Sequence, residues 1–120
     1  MFKTNTEARA VEMFPGIIRR TLVSGERMTV VEVTFASGAT VPSHTHPHEQ
    51  VGYVARGRVR FEIAGEARDL GPGDSYLILG GEPHLVTAYE DSVLVDVFSP
   101  PRTEYLDSMT RVSMKPGAVH

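Results

Sequence analysis

Four of the five histidines in this 120-residue chain stand where they could bind a metal ion. His44, His46 and His48 alternate along one short segment that ends at Gln50, and His84 follows later in the chain. Imidazole nitrogen together with amide or carboxylate oxygen is an ordinary ligand set for divalent transition metals. The chain has no cysteine, so any metal must be bound through nitrogen and oxygen rather than through thiolate sulfur.

Strand geometry is expected to bring these histidines together. His44 and His46 are two residues apart in a predicted strand over 40–46, and side chains at that spacing face the same side of a strand. Pro47 cannot donate to a strand ladder, so we expect it to end or bend this strand. His84 opens a further predicted strand after a Gly-rich turn. These three histidines are therefore predicted to bind one metal ion.

The fourth ligand is predicted to be either Gln50 or Glu49. A strand that starts at Gln50 can pair beside His44 and His46, which favours the amide oxygen of Gln50. His48 is predicted not to be a ligand, because single histidines are commonly surface or buried core residues. Three imidazoles and one amide are all neutral, so the ion keeps its full charge, which favours polarising an oxygen over redox chemistry. This ligand set does not select among nickel, zinc, manganese and iron.

The elements that must position these residues are predicted to be β-strands. In 58–63, Val59, Phe61 and Ile63 alternate with charged residues, as in a half-buried strand. The other predicted strands cover 17–23, 28–35, 40–46, 50–55, 66–70, 75–79, 84–89 and 92–99, with turn signals between them. Many short strands with short turns are typical of an all-β barrel or sandwich.

The whole chain, 1–120, is expected to form a single domain. Its core is expected at about 15–100, and 101–120 is expected to be a C-terminal extension with a short helix over 103–109 and a loose tail after Met109. The net charge is only −3 with acids and bases mixed, so we expect no nucleic-acid and no membrane partner. The basic pair Arg19-Arg20 is read as a solvated strand face. No apolar signal core or membrane-length segment is present, so a cytoplasmic location is the expectation.

The predicted last strand, 92–99, carries a buried acid candidate. Leu94, Asp96 and Phe98 share one face, and three valines share the other, so the strand is expected to be covered on both sides. A carboxylate in an apolar interior has a raised pKa unless a cation is near, which suits a general acid or base. The alternatives are an Asp that ties down a turn by hydrogen bonding to backbone and an Asp on an exposed strand face. The valine face needs to be covered, and we expect a second copy of the chain to cover it, so that two sheets pack face to face in a homodimer.

Arg102 follows the stiff pair Pro100-Pro101. It is expected to fold over the mouth of the barrel, where its guanidinium could pair with a substrate carboxylate. The alternative is a solvated arginine.

The histidine segment resembles the first motif of the cupin superfamily, which has the form G-x5-H-x-H-x3/4-E-x6-G. Gly38 and Gly57 match its ends, His44 and His46 match its histidines, and Gln50 stands in the Glu place.

The second cupin motif has the form G-x5-P-x-G-x2-H-x3-N. Gly73, Gly81 and His84 stand at the expected positions, whereas Leu79 replaces the Pro and Ala88 replaces the Asn. The resemblance implies a double-stranded β-helix (jelly-roll) barrel with one divalent metal ion in its mouth. It also favours Gln50 as the fourth ligand.

A closer resemblance is to the small cupins of pectin degradation, the KdgF type, which are similar in the H-x-H-P-H-E-Q run. They are also similar in a last strand where Asp96, Phe98 and Arg102 have counterparts. The resemblance implies that Asp96 and Arg102 are catalytic and that Phe98 and Arg102 bind substrate. It implies a metal-dependent isomerase that opens cyclic 4,5-unsaturated uronate monosaccharides, from pectin or alginate breakdown, to the linear keto-aldehyde acid.

Two other functions stay open at this point. One is an oxygen-dependent cupin dioxygenase. The neutral Gln50 and the carboxylate-binding candidate Arg102 argue against it. The other is a non-catalytic cupin that binds metal or sugar. Turnover and oxygen consumption distinguish the three.

Overall fold

The computed structural model describes residues 1–108, and β-strands dominate it. The strands are β1 (Ala10–Phe14), β2 (Ile17–Ser24), β3 (Thr29–Phe35), β4 (Thr40–His44), β5 (Glu49–Arg56), β6 (Val59–Ile63), β7 (Glu66–Leu70), β8 (Ser75–Ile78), β9 (His84–Ala88) and β10 (Ser92–Ser99). Two short 3₁₀ helices, Asn5–Glu7 and Thr103–Ser108, flank them. Within residues 1–108, no helix has the length and apolar character needed to cross a membrane.

The strands form two antiparallel sheets that enclose one core. The larger sheet has the order β1-β2-β3-β10-β5-β8, and the smaller has the order β4-β9-β6-β7. The period-two pattern decides which side chains point inward. In β3, for example, Val31, Val33 and Phe35 are buried while the residues between them are only half-buried. The predicted all-β jelly-roll barrel is confirmed.

Three details differ from the sequence-based expectation. The edge strand β1 has no counterpart among the predicted strands; none of its side chains is fully buried, so its sequence pattern is weak. Strand β4 ends at His44 instead of continuing to residue 46. The predicted short helix is a 3₁₀ helix as far as Ser108. The predicted tail after Met109 lies outside the described residues.

The larger sheet carries apolar side chains on its outer side. Val51, Tyr53 and Leu77 are each about half exposed, at 50%, 50% and 51%. Val51 pairs in register with Leu77 of β8 and with Val97 of β10, so these side chains are neighbours. We call Val51, Tyr53, Leu77, Val95 and Val97 the outer apolar surface. The expected full cover of the valine side of β10 is not seen within one chain, because its valines are half-buried.

Leu94 tests the assigned core. It is 1% exposed on the inner side of β10, so Leu94→Ala should lower the free energy of unfolding by about 2–5 kcal/mol through lost burial and a cavity. Chemical denaturation measures this. Leu79→Ala is the matched control, since Leu79 is 48% exposed and should change stability much less. Equal losses for the two variants would contradict the assigned core.

Candidate metal centre

Three histidines converge at one end of the barrel. His44 ends β4, His84 begins β9, and the two are register partners. His46 lies in the turn after β4 and is buried. The ligand atoms of the three side chains all lie within 4.8 Å of one another. The predicted triad is therefore brought together, although the turn rather than a continuing strand aims His46 inward.

The turn before β9 holds the His46 segment in place. The backbone N–H of Gly81 donates to the His46 carbonyl over 2.9 Å. A side chain at Gly80 would collide with the carbonyl oxygen of Pro47. A glycine at position 80 thus lets the two segments approach closely enough for His46 and His84 to share a site.

Each imidazole of the triad is oriented by its Nδ1 atom. The three Nδ1–H groups donate to backbone carbonyls: His44 to Pro42 over 2.9 Å, His46 to His48 over 3.0 Å, and His84 to Glu82 over 2.9 Å. A histidine that donates through Nδ1 keeps a lone pair on Nε2. Backbone contacts thereby hold all three rings in the form that can bind a metal.

Burial favours the neutral form of two of these rings, those of His46 and His84. It lowers the pKa of His46 to about 4, and the positive charge of Arg102 contributes to that shift. Burial also lowers the pKa of His84. Metal ligation requires neutral imidazole, so at neutral pH these two rings are ready to bind without losing a proton.

Gln50 supplies an oxygen beside the triad. It is buried on the inner side of β5, whereas Glu49 is exposed, and its Oε1 lies 2.9 Å from Nε2 of His46. Since the Nδ1 of His46 holds the ring proton, Nε2 and Oε1 are both acceptors with no proton between them. Two adjacent ligands of one ion are about 3 Å apart when each bond is about 2.1 Å. The donor set therefore fits a divalent transition metal.

Asp96 is buried next to Gln50, on the inner side of β10. Its Oδ1 accepts a hydrogen bond of 2.5 Å from the hydroxyl of Tyr76. Burial raises the pKa of Asp96 to about 6, while hydrogen bonds from Tyr76 and Gln50 and the charge of Arg102 oppose that rise. The carboxylate thus contacts another side chain of the site, and no hydrogen bond to a turn is seen among residues 1–108.

Strand register explains how Tyr76 reaches Asp96. Asp96 of β10 pairs with Gly52 of β5, and Gly52 pairs with Tyr76 of β8. A side chain at Gly52 would overlap the Tyr76 ring. The tyrosine therefore crosses the middle strand through the space that the glycine leaves open.

Arg102 is buried against two aromatic rings. Its Cζ lies 4.8 Å from the centroid of Phe98 and 4.4 Å from that of Tyr105. Its Nε donates to Glu104 over 3.1 Å, and its backbone N–H donates to Thr29. The stacked rings keep the guanidinium from reaching into solvent, contrary to the solvated alternative.

One cavity is lined by six of the seven predicted site residues, all except His46. Its lining includes the side chains of His44, His84, Gln50, Asp96, Phe98 and Arg102. Apolar residues of both sheets, such as Val31, Val86 and Leu94, line the rest. A more open hollow between β7 and β8 contains none of the seven predicted site residues. A polar end and an apolar floor suit a small, polar organic ligand.

Residues 31–98 match the cupin domain family. This chain belongs to the cupin family. The pectin degradation protein KdgF of Dickeya dadantii is 40% identical over 97 residues, which cover 79% of this chain and 88% of that protein.

Solved cupin structures match as well. KdgF from Halomonas sp. has a TM-score of 0.84 and 36% identity, and the match covers 88% of this chain and 98% of that one. An RmlC-like cupin from Shewanella frigidimarina has a TM-score of 0.83 and 27% identity, covering 87% and 94%. The resemblance to cupins and to the KdgF type is confirmed.

The positions of two residues of this cupin, Arg19 and Tyr76, are not predicted from the sequence. Arg19, expected on a solvated face, is buried, with its Cζ 4.0 Å from the centroid of Tyr105. Its position between Ile17 and Thr21, both inward residues of β2, is the signal that points it inward. Tyr76 is absent from the predicted site, because nothing in the sequence near it reveals its contact with Asp96.

His48 lies outside the triad. Its ring is buried 5.6 Å from His46 and 6.2 Å from Phe98, centroid to centroid. Its backbone carbonyl, not its imidazole, serves the site by orienting His46.

The histidines provide a matched pair of variants for metal binding. We expect His84→Ala to abolish tight, stoichiometric binding of a divalent transition metal, because it removes one of three convergent nitrogens. His48→Ala should bind one metal ion per chain as the unmodified protein does. Metal analysis of the purified, dialysed proteins measures both. A loss in His48→Ala with retention in His84→Ala would contradict the assigned triad.

Proposed function

We propose that this cupin is a metal-dependent isomerase that opens cyclic 4,5-unsaturated uronate monosaccharides to the linear keto-aldehyde acid. The observation that carries the proposal is one cavity lined by a buried carboxylate, Asp96, and a buried guanidinium, Arg102, together with two histidines of the convergent triad. The likeness to two KdgF proteins, one of them named for pectin degradation, supports the substrate class.

Arg102 binds the substrate carboxylate in this proposal. A guanidinium offers two parallel N–H groups that match the two oxygens of a carboxylate. Phe98 and Tyr105 hold the guanidinium by stacking. Glu104 engages Nε, so the substrate is bound through the Nη atoms. Phe98 also forms part of the pocket wall beside the sugar ring.

The reaction needs one proton to leave an oxygen and one to reach a carbon. In a 4,5-unsaturated uronate, the ring oxygen O5 and the C4=C5 bond form an enol ether. Opening breaks the C1–O5 bond, the C1 hydroxyl loses its proton as C1 becomes an aldehyde, C5 becomes a ketone, and C4 gains a proton. The change is a pure isomerisation, so it consumes no water and no oxidant.

Asp96 moves the proton in this proposal. As a carboxylate it accepts the proton of the C1 hydroxyl, and as a carboxylic acid it delivers a proton to C4. A pKa of about 6 lies close to neutrality, where one group can serve as both base and acid. Tyr76 and Gln50 use only part of the acceptor capacity of the Asp96 carboxylate, and its remaining acceptor positions face the substrate.

One divalent metal ion, nickel, zinc, manganese or iron, would be held by His44, His46, His84 and Gln50. It would supply a positive charge that polarises a substrate oxygen. The ligands themselves stay neutral and keep their orientation through backbone hydrogen bonds.

Loss of ultraviolet absorbance tests this function directly. Metal-loaded protein mixed with unsaturated galacturonate should remove the absorbance of the C4=C5 bond faster than buffer does.

Arg102→Gln should raise KM about 10- to 100-fold, since it removes charged hydrogen bonds to the carboxylate. Arg68→Gln, at an exposed ion pair on β7, is the control and should keep the original KM. No acceleration by the metal-loaded protein would refute the proposal. Oxygen consumption with iron loaded would point to a dioxygenase instead.

We also propose that two chains associate through the outer apolar surface. Its central residues are about half exposed and contiguous across β10, β5 and β8, and the hydrophobic effect favours covering such a surface.

Light scattering after size-exclusion chromatography tests the dimer. The protein should have twice the chain mass, and Val51→Asp should give the mass of one chain, because two like charges would meet near the interface. Met28→Asp places the same charge at a half-exposed position outside this surface and should remain dimeric. A single-chain mass for the unmodified protein would contradict the dimer.

A further inference from the structure

The side chain of Gln50 has two chemically different ends. Its Oε1 can accept hydrogen bonds or bind a metal, whereas its Nε2 can only donate. The structure places Oε1 toward the triad, 2.9 Å from Nε2 of His46. A rotation of the amide by half a turn would put an N–H group there and remove the ligand. Gln50 can therefore serve as a ligand only if a neighbouring group fixes the orientation of its amide.

Asp96 meets the other end of the amide. Gln50 pairs with Phe98 and Gly52 pairs with Asp96, so Gln50 and Asp96 are diagonal neighbours on the buried inner faces of β5 and β10. A hydrogen bond from Gln50 is among the contacts that oppose the rise in the pKa of Asp96. A carboxylate has acceptor atoms only, so the amide must turn its Nε2–H group toward Asp96. The Oε1 atom is then left pointing to the histidines.

Tyr76 fixes Asp96 in turn. Its hydroxyl, the only donor of its side chain, bonds to Oδ1 of the carboxylate across the gap at Gly52. The tyrosine ring is packed at 4.2 Å, centroid to centroid, against Phe61 of the opposite sheet. Both ends of the Tyr76–Asp96–Gln50 chain are thus anchored on strands whose register is set by backbone pairing.

We propose that Tyr76 and Asp96 are positioning residues for the metal site: they hold the Gln50 amide with its oxygen toward His44, His46 and His84. The inference rests on the part of the proposed function that makes Gln50 a ligand, and it is independent of the uronate substrate. Asp96 in this role acts on the metal site through Gln50, in addition to any part it takes in proton transfer.

An asparagine at position 96 should reverse the amide. In Asp96→Asn, the Tyr76 hydroxyl still donates to the new amide oxygen, so the new N–H group faces position 50. Gln50 then has to turn its oxygen toward that donor, which presents its N–H group to the histidines. A glutamate at position 50 escapes this effect, because its two ends are both oxygen.

Isothermal titration calorimetry of the metal-free protein with Zn²⁺ measures the zinc affinity, and it tests the inference without any measurement of activity. Asp96→Asn should weaken zinc binding about 10- to 100-fold. In a Gln50→Glu background the same substitution should leave zinc affinity unchanged or raise it, because it removes the repulsion between two neighbouring carboxylates. Tyr76→Phe should weaken binding in the otherwise unmodified protein and have no such effect in the Gln50→Glu background. Asp69→Asn, on exposed β7, is the control and should bind zinc as the unmodified protein does.

Equal losses from Asp96→Asn in the two backgrounds, or no loss in either, would overturn the inference. If Asp96→Asn fails to fold by circular dichroism, the Tyr76→Phe pair decides in the same way. Gln50→Ala with undiminished zinc affinity would also overturn it, since Gln50 would then not be a ligand. Absence of uronate turnover combined with the predicted zinc pattern would refute the substrate proposal and leave this inference standing.

Discussion

Buried polar groups need partners, and this requirement organises the open end of the barrel. Five polar or charged side chains, those of His46, His84, Gln50, Asp96 and Arg102, are each less than one-tenth exposed. An unpaired buried group of this kind costs on the order of 1–3 kcal/mol. Each of them has a partner: backbone carbonyls for the imidazoles, Tyr76 and Gln50 for the carboxylate, aromatic rings and Glu104 for the guanidinium.

The strand register makes this pairing possible. Gln50 and Gly52 point inward from β5 because side chains alternate, and β5 lies between β10 and β8. Asp96, Gly52 and Tyr76 therefore stand in one row across three strands. A one-residue slip of β5 would turn Gln50 outward and Glu49 inward. The site is thus a product of backbone pairing as much as of the side chains themselves.

The parts of the fold that could be predicted are those that depend on the local alternation and spacing of residues along the chain. Alternation locates nine of the ten strands, and the two-residue spacing of His44 and His46 indicates a shared direction. The edge strand β1 escapes prediction because its side chains are at most half-buried. Arg19 escapes because a charged residue is expected to face solvent, although its strand position points it inward and Tyr105 covers it.

Long-range pairing accounts for what the site prediction lacks. Asp96 is recognisable as an acid in an apolar strand, but its partner Tyr76 lies on β8, two strands away in the sheet. Only the order and register of the strands bring them together, and no pattern local to Tyr76 encodes that order. The start of β5 likewise leaves Glu49 exposed and Gln50 buried, which favours Gln50 as the proposed fourth ligand.

The central claim is that three imidazoles and one amide oxygen form a metal site oriented by the barrel. Its most direct test is a crystal structure of the metal-loaded protein with anomalous scattering recorded at the metal edge. The account predicts one anomalous peak about 2.0–2.3 Å from Nε2 of His44, His46 and His84 and from Oε1 of Gln50. No peak at the triad, or a peak whose ligands include the His48 imidazole in place of one of these groups, would contradict it.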